Sequence, residues 1–559
     1  MKSYFLLRKS LKSFIVFLFF FFISFSHAAN YYASPTGTET GTFENPCSFT
    51  VGLTKLTTAG DTLFLRDGVY YLNTKQSINK IGTANARICI FAFPGETPIL
   101  DFRNQPYGSS NPGVSLNETS AYMHIKGITI RYAGDNGMTN NGNNHIIENC
   151  VFYGNCDSGL QHKTGGGNLI KNCDSYDNFD YQTGGTSTPN YGGNADGFAD
   201  KQFTNTTPNT YEGCRSWRNS DDGWDLYQRI GDVIIKNCIC YKNGPATYDL
   251  SNHPRLSTDA SWFSNFNTSQ LAAYPNYGNA NGFKIGGDYR PTNTTLTNCL
   301  SAENGAKGFD QNNSSGIMTL YNCTAYNNGN RNYAFADRAS NNSNVQTPFT
   351  QDPVTYATLI IKNCVSLKTG SADSFTSSSY LTTANNSWNT PGVSCTAEDF
   401  ISTDASVLIT PREADGSLPN TVFMQLADNS DLIDAGVFVS LPYNGNAPDL
   451  GCYERGNLDN FPPAVTTPVN KDQSVFENTA ITDIIFTWSA GATGLTICNL
   501  PDGLSALVSE TTKTLTITGT PNVPGVYNYT VTSIGGAGPA VTITGKLSVS
   551  SANAKNLAY

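Results

Sequence analysis

The stretch Asn-Cys-Val-Phe-Tyr-Gly-Asn at residues 149–155, followed closely by Ser158-Gly159-Leu160, contains two motifs that recur along this chain. The first motif begins with an Asn-Cys pair, or once with Gly-Cys, and the second places an apolar residue directly after a glycine. The cysteines of the first motif are Cys150, Cys173, Cys214, Cys238, Cys299, Cys323 and Cys364. The glycines of the second motif are Gly137, Gly159, Gly197, Gly223, Gly282 and Gly308. An internal repeat of this kind predicts that equivalent side chains stack on one another.

The spacing of the two motifs defines a repeating unit of about 24 residues. Two units are longer than the others, with about 15 extra residues before Gly197 and about 35 before Gly282. Short strands rich in Val and Ile, turns rich in Gly and Asn, and few helix-forming residues favour a parallel β-solenoid over a helical repeat. Each unit then adds one rung, and equivalent residues lie about 4.8 Å apart in neighbouring rungs.

The composition of the chain changes from one segment to the next. We predict a signal peptide over residues 1–28, an all-β solenoid domain over 29–456, a linker over 457–464, a small Ig-like β-sandwich over 465–550 and a tail over 551–559. Residues 30–135 contain a strand–turn–strand pattern that would cap the solenoid, and regular coils are expected from about 136 to 370. The sandwich lacks the Cys–Trp–Cys spacing of antibody domains, and we interpret it as a spacer rather than a carbohydrate-binding module.

The overall charge and the first residues of the chain indicate an exported protein. The 559 residues carry a net charge of −10, so the sequence offers no basic face for nucleic acid. The first 28 residues combine a basic start, an apolar run over 14–25 and an end suited to signal peptidase. We therefore expect a secreted protein, extracellular or periplasmic. The apolar run is too short for a membrane span, and no membrane span is expected in the mature chain.

The fourteen cysteines of an exported chain would ordinarily suggest disulfides. Seven of them, however, occupy the first motif at one per unit, and thiols are among the most buried side chains. We therefore predict a buried internal row rather than bridges. Cys238 and Cys240 are too close in one strand for a relaxed disulfide.

Alignment of the units on the motif glycine brings acidic residues from separate units together. Asp196 falls directly beneath Asp222, and Asp221 and Asp225 belong to the same unit as Asp222. Carboxylates at this distance repel one another unless they are protonated or bind a cation. An oxygen-ligated ion such as Ca²⁺ resolves the repulsion, whereas no Cys or His lies at the spacing that zinc requires. The alternative is that each aspartate simply forms a turn.

Lys284 follows in the next unit, at the position equivalent to Asp225. It would be either a salt-bridge partner of that aspartate or, near a metal and partly desolvated, a general base. A metal and a base suit β-elimination of a polyuronate, in which the proton at C5 is removed and the C4–O bond breaks. Flanking cations are expected either to meet uronate carboxylates or to be solvated surface charges. These cations are Lys201, Arg229 and Arg290.

Two further polar residues lie near the aligned positions. Asp310 is one unit beyond Lys284, where it would either orient that lysine or cap a turn. His162 follows a strand position of an earlier unit, and we interpret it as structural.

Residues 194–199, 219–225, 281–284 and 308–312 resemble the signature of polysaccharide lyase family 9, the pectate-lyase-type right-handed β-helices. The resemblance covers about residues 30 to 456. It implies a right-handed parallel β-helix, a single Ca²⁺ held by Asp196, Asp221, Asp222 and Asp225, and Lys284 as Brønsted base. It also implies a pectic polysaccharide as substrate. We expect the insertion before Lys284 to wall the cleft and to influence substrate choice.

The sequence therefore predicts a monomeric, calcium-dependent pectate lyase that cleaves polygalacturonate by β-elimination. A rhamnogalacturonan I lyase would use the same metal and base. A polygalacturonase-type hydrolase would share the β-helix and use Asp221 and Asp222 as acid and base, but the Gly-His-Gly and Arg-Ile-Lys segments of that family are missing. A non-enzymatic β-helix adhesin would leave the aspartates and Lys284 without a purpose.

Overall fold

The computed structural model describes most of the chain. The described residues are 28–38, 40–180, 192–203, 207–244, 278–335, 358–375, 379–456, 463–535 and 540–551. Residues 1–27 of the expected signal peptide lie outside them, as do residues 457–462 of the expected linker. The aromatic residues of the insertion before Lys284 also lie outside them, namely Trp262, Phe263, Phe266, Tyr274 and Tyr277.

Within the described residues the chain winds into a parallel β-helix in which each coil contributes strands to three sheets. The first sheet contains Asn30–Ala33, Thr62–Leu65, Ile88–Ala92, Met123–Lys126, Ile146–Glu148, Leu169–Lys171, Asn209–Glu212, Gly231–Lys236, Thr292–Thr297, Ile317–Tyr321, Thr358–Lys362 and Leu381–Ala384. The second sheet contains Gln76–Ile78, Val114–Leu116, Met138–Asn140, Leu160–His162, Phe198–Asp200, Trp224–Asp225, Phe283–Lys284, Lys307–Asp310, Arg331–Phe335 and Ser374–Phe375. The third sheet contains Val69–Tyr71, Ile99–Asp101, Thr129–Arg131, Val151–Tyr153, Asp174–Tyr176, Arg215–Trp217, Ile239–Tyr241, Leu300–Ala302, Thr324–Tyr326 and Val365–Leu367. The predicted all-β, right-handed parallel β-helix is thereby confirmed.

The beginning of the solenoid differs from its sequence prediction in two ways. Strands of all three sheets are already present before residue 136, so the coils begin earlier than the repeated motifs do. A short α-helix, Phe49–Lys55, also packs its buried Phe49 and Leu53 against the first strands. Ser48 caps this helix, because its side chain accepts a hydrogen bond from the Val51 N–H. The helix therefore joins the expected strand–turn–strand pattern at this end of the solenoid.

The first residue of the Asn-Cys motif makes a left-handed turn before each third-sheet strand from Val151–Tyr153 onward. Asn149 and Asn172 have φ angles of 51° and 52°, and Gly213 has 63°. Asparagine and glycine adopt this conformation at lower cost than other residues, which explains why they exchange at this position. The cysteine that follows points inward and is buried in the hydrophobic core. No disulfide joins any of the fourteen cysteines, all of which lie in described residues, so the predicted internal row is confirmed.

The last asparagine of the same motif forms a buried ladder along the turns. In this ladder each side-chain NH₂ donates to the side-chain oxygen in the next coil, as from Asn178 to Asn219 at 2.7 Å and from Asn219 to Asn243 at 2.9 Å. The members are Asn155, Asn178, Asn219, Asn243, Asn304 and Asn328, with Asn332 at the end. Because buried amides must be hydrogen-bonded, the ladder fixes the vertical alignment of the coils.

The glycine motif lets the second-sheet strand begin close against this ladder. A Cβ at Gly223 would lie 2.5 Å from Cys240 Sγ and 2.6 Å from the Gly282 oxygen, so no side chain fits. The apolar residue after the glycine points inward, and the aromatic members of this row stack on one another and on Tyr333. Successive ring centroids are 4.7 to 5.1 Å apart along Phe198, Trp224, Phe283, Phe309 and Tyr333. The stack orients the next residue of each strand outward.

Beyond the last coil, the segment up to residue 456 returns across the third sheet. Its two 3₁₀ helices are Ala397–Asp399 and Ala405–Ile409, and its apolar residues share a core cluster with Trp217, Ile239 and Leu300. Arg412 Nη2 lies 2.6 Å from an oxygen of Asp174, which also pairs with Arg215 at 2.7 Å. Arg215 in turn donates to the Leu408 and Thr410 carbonyls, so this ion-pair network attaches the segment to the coils.

Residues 463–550 form two four-stranded sheets around a separate hydrophobic core. One sheet contains Pro463–Thr466, Ile484–Ala490, Thr514–Gly519 and Leu504–Ser509. The other contains Gln473–Phe476, Thr542–Ser550, Gly525–Ile534 and Gly494–Cys498. The strands are mostly antiparallel, as a small β-sandwich requires, and its Ig-like character stays a prediction. Among the described residues, no helix has the length and apolarity needed to cross a membrane.

Candidate active site

The outward-facing residues of the second sheet stack in the predicted order. Backbone pairing places Thr139, Gln161, Ala199, Asp225, Lys284 and Asp310 at equivalent positions of successive coils. Phe283 points into the core, so the alternation of a strand turns Lys284 outward. The register predicted from the sequence, in which Asp225 and Lys284 are neighbours in successive coils, is therefore present in the structure.

Asp196, Asp222 and Asp225 form a cluster that we call the carboxylate pocket. One oxygen from each residue lies within 4.8 Å of the others, and all three residues are buried. Backbone N–H groups hold the Oδ1 atoms. Asp196 Oδ1 accepts from Asp222 at 3.2 Å, Asp222 Oδ1 from Asn281 at 2.9 Å, and Asp225 Oδ1 from Tyr227 at 2.9 Å. The backbone thus fixes the three carboxylates and leaves their Oδ2 atoms for other partners.

Two lysine ammonium groups contact this pocket. Lys284 Nζ lies 3.1 Å from Asp222 Oδ2 and 3.3 Å from Asp225 Oδ1. Lys201 Nζ lies 3.1 Å from Asp196 Oδ2 and 2.7 Å from Asp225 Oδ2. Lys284 also lies 5.4 Å from the centre of the Tyr227 ring, which is a cation–π contact. The pocket therefore contains three carboxylates with two positive charges beside them.

The protonation of the pocket reflects burial and these charges. Burial raises the pKa of Asp196 to about 7, although Lys201 opposes the shift. Burial also raises the pKa of Asp222, against the effect of Lys284. Burial alone would raise the pKa of Asp225, but Lys201 and Lys284 outweigh it and lower that pKa. For Lys284, burial lowers the pKa, but the combined attraction of Asp222, Asp225, Asp221 and Asp196 raises it well above the usual value.

The donor set of the pocket fits a hard divalent cation. Its oxygens come from three carboxylates held by the backbone, and carboxylate oxygens are the ligands that Ca²⁺ prefers. Asp222 Oδ2 is buried and accepts no hydrogen bond of good geometry, although Lys284 Nζ lies nearby. A buried carboxylate oxygen needs a positively charged or donating partner, and a cation in the pocket would supply one. In the described residues, no second group of His, Cys, Asp or Glu side chains meets the same spacing.

Asp221 lies beside the pocket rather than within the group of three. Its Oδ1 accepts a hydrogen bond from the Asn279 N–H. Burial raises the pKa of Asp221 well above its usual value, and the charges of Asp222 and Asp196 raise it further. Asp221 is therefore close enough to feel the pocket, and its role as the fourth ligand stays a prediction.

Arg229 and Arg290 are placed differently from the sequence expectation of exposed cations. Arg229 is fully buried, with its Nε 3.2 Å from Asp200 Oδ1 and its Nη atoms donating to the Ile230 and Asp232 carbonyls. Arg290 is also buried, 3.9 Å from Asp288. Both guanidinium groups fold back onto the turn after a second-sheet strand, because a buried charge needs a partner. They are not solvated surface charges, and these positions do not favour contact with a uronate.

Asp310 and His162 show which of their alternatives the structure favours. Both oxygens of Asp310 lie 3.0 Å from Lys307 Nζ, and its Oδ1 accepts from the Asn312 N–H at 3.1 Å. This hydrogen bond is the turn cap that was weighed against orienting Lys284. His162 is fully buried beside Tyr211, which agrees with a structural role.

The sequence interpretation missed the position of Lys201 in the pocket and the contact of Tyr227 with Lys284. Both residues lie two positions after an outward-facing residue of the second sheet, Ala199 and Asp225 respectively. The twofold alternation of the strands, continued past their last residues, places both side chains on the outward face. Tyr227 is 39% exposed, which leaves its ring open to a ligand beside Lys284.

Comparison with known proteins identifies relatives of this architecture. The family model described as "Pel9A-like, right handed beta helix region" matches residues 31–344, a range that contains the whole carboxylate pocket and Lys284. Pectate lyase L of Dickeya chrysanthemi is 33% identical over 436 residues, which cover 76% of this chain and 90% of that protein. Pectate lyase L of Paenibacillus polymyxa is 32% identical over 394 residues, which cover 67% of this chain and 76% of that protein. The crystal structure of pectate lyase Pel9A has a TM-score of 0.60 at 30% identity, covering 77% of this chain and 97% of that chain.

Proposed function

The chain belongs to the Pel9A-like right-handed β-helix family, and from this membership we propose that it is a pectate lyase. It cleaves α-1,4-linked polygalacturonate by β-elimination and releases 4,5-unsaturated oligogalacturonides. The observation that carries the proposal is the amine of Lys284, which faces outward 3.1 Å from Asp222 in a pocket of buried carboxylates. We further propose that the enzyme is secreted, acts as a monomer and requires calcium.

Calcium is the cofactor that the pocket is proposed to bind. Asp196, Asp222 and Asp225 would hold it, with Asp221 as the fourth ligand. When bound, calcium supplies positive charge that neutralises the uronate carboxylate and makes the adjacent C5 proton more acidic.

Lys284 is the proposed base. Its Nζ takes the proton from C5, the electron pair forms the C4–C5 double bond, and the C4–O bond breaks while the departing oxygen takes up a proton. Asp222 and Asp225 hold the amine in position, but the same carboxylates favour its protonated form. The neutral base is therefore obtained when these carboxylates have another cation as partner. Tyr227 lies beside the amine and offers an aromatic ring to the sugar next to the cleaved bond.

Digestion of defined polygalacturonate with and without EDTA tests this proposal. We expect ultraviolet absorbance from the unsaturated product in calcium-containing buffer, its loss in EDTA and its return when excess CaCl₂ is added. New reducing ends without absorbance would indicate a hydrolase instead. Absorbance from rhamnogalacturonan I but not from polygalacturonate would favour the alternative lyase, and binding without any cleavage would favour an adhesin.

A further inference from the structure

Lys201 lies at one side of the carboxylate pocket, where its ammonium group contacts two carboxylates at once. Its ammonium group contacts Asp196 Oδ2 and Asp225 Oδ2, whereas the Oδ1 atoms of both residues are held by backbone N–H groups. Lys201 therefore uses the oxygens that the backbone leaves open. A cation held by both carboxylates would compete with Lys201 for these oxygens, one of which also accepts a hydrogen bond from Ser158 at 3.2 Å.

The same two oxygens cannot bind a divalent cation and an ammonium group well at the same time. Like charges a few ångströms apart repel one another, and the repulsion doubles when one of the two ions is divalent. We propose that Lys201 is a built-in counter-ion that a divalent cation displaces from Asp196 and Asp225. This inference rests on the proposed calcium site and adds to it a residue that sets the affinity of that site.

Lys201, rather than Lys284, is the ammonium that leaves. Lys201 contacts two Oδ2 atoms of the pocket and Lys284 contacts one. The side chain of Lys201 is 22% exposed and that of Lys284 is 8% exposed, so the first has a path to solvent. Lys284 is also held by the ring of Tyr227. Before the cation binds, Lys201 balances the charge of the carboxylates and keeps them in position, and the affinity for the cation is lower as a result.

The test is a calorimetric titration of the protein with CaCl₂, comparing the wild type with Lys201→Met. Methionine keeps much of the side-chain length and removes the charge. We expect the variant to bind calcium at least about tenfold more tightly, because a competing positive charge has been removed. The matched control is Lys163→Met, which removes an exposed lysine from the equivalent position one coil earlier. The control should bind calcium as the wild type does.

The outcomes separate this inference from the proposed function. Calcium binding that is equal or weaker in Lys201→Met than in the wild type would overturn the displacement of Lys201 and leave the calcium site standing. A wild-type protein that binds no calcium would overturn the proposed site itself.

A second measurement on the wild-type protein does not depend on how the variant folds. Amine acetylation at each lysine is quantified by peptide mass spectrometry with and without CaCl₂. We expect calcium to increase the labelling of Lys201 at least about threefold, because the amine loses its ion pairs, and to leave Lys163 unchanged. Labelling of Lys201 that calcium does not increase would contradict the displacement.

Discussion

Asp225 shows how a single residue can connect the two lysines of the site. Its Oδ1 accepts a hydrogen bond from the Tyr227 N–H and lies 3.3 Å from Lys284, while its Oδ2 lies 2.7 Å from Lys201. Burial would favour the protonated carboxyl, but the two ammonium groups outweigh it and keep the pKa of Asp225 low. The ionised carboxylate in turn fixes the position of Lys284. The geometry of the proposed base therefore depends on the residue that pairs with it in the preceding coil.

We predict that Lys284→Ala lowers the lyase activity by a factor of about 10² to 10⁴, because positioned proton transfer contributes that much to catalysis. The variant should fold normally and still bind calcium, since alanine fits an outward-facing strand position and the carboxylates remain. The measurement is the initial rate of unsaturated product formation, with thermal unfolding as a check of the fold.

Lys242→Ala is the matched control for this variant. Lys242 is an exposed lysine that follows a third-sheet strand and pairs with Glu303 at 3.3 Å. It should retain wild-type activity. If Lys284→Ala turned over substrate at a rate close to that of the control, Lys284 would not be the base.

At the scale of the elements, the turn that carries the asparagine ladder determines where each second-sheet strand starts. Every ladder amide satisfies the one in the next coil, and the following glycine brings the strand to within contact of the ladder. The outward-facing residue two positions after the glycine therefore occupies the same position relative to the ladder in each coil. This regularity brings residues from separate coils together in the carboxylate pocket.

We predict that Asn219→Ala lowers the free energy of unfolding by about 2 to 4 kcal/mol, because it removes the hydrogen bonds that the Asn219 side chain makes with the buried Asn178 and Asn243. Urea unfolding followed by circular dichroism measures the change. Asn330→Ala, at an exposed position near the end of the same ladder, should change stability by less than about 0.5 kcal/mol. Equal effects of the two substitutions would show that the ladder is not what aligns the coils.

The coils and the acidic part of the site were predictable because their residues repeat in register. Asn149, with its left-handed φ angle, and Gly223, with no room for a side chain, are required by the backbone and so mark each coil in the sequence. Once the coils are aligned, the neighbourhood of Asp196, Asp222 and Lys284 follows. The early coils before residue 136 were not predicted as regular, since they fold without these markers.

The remaining features depend on contacts that the repeated motifs do not indicate. The direction of Arg229 is set by the turn after its strand and by the buried Asp200, and neither belongs to the repeated motifs. The helix Phe49–Lys55 is used once, so it has no periodic signal. Lys201 was expected to be a flanking residue, because the sequence shows its face of the strand but not the reach of its side chain into the pocket.

At the scale of the whole molecule, buried polar groups affect how the protein responds to pH. Burial lowers the pKa of His145 to about 3 and that of His162 to about 4. Both pKa values lie below the ordinary histidine pKa of an unfolded chain. At pH values between the folded and the unfolded pKa, the folded protein therefore binds fewer protons than the unfolded chain. The stabilising contribution is therefore complete above about pH 6.5 and decreases as the pH falls toward 4.

We predict that the free energy of unfolding falls between pH 7 and pH 4.5, with roughly 2 to 3 kcal/mol of the loss due to His162. Urea unfolding at the two pH values measures this loss. His162→Gln has no group that titrates in this range, and it should lose correspondingly less stability over the same interval. A variant whose loss matches that of the wild type would show that His162 does not carry this pH dependence.

Because the thiols inside the coils are not joined in disulfides, the fate of a protein molecule depends on whether its coils have opened before. While the coils stay closed, oxidants cannot reach the sulfur atoms along the core. A chain whose coils open exposes the nine thiols of this core at once, and a single wrong crosslink or a sulfinic acid prevents the rungs from closing again. The working lifetime of the protein in an oxidising medium is therefore governed by how often it opens, and not by how stable it is at equilibrium.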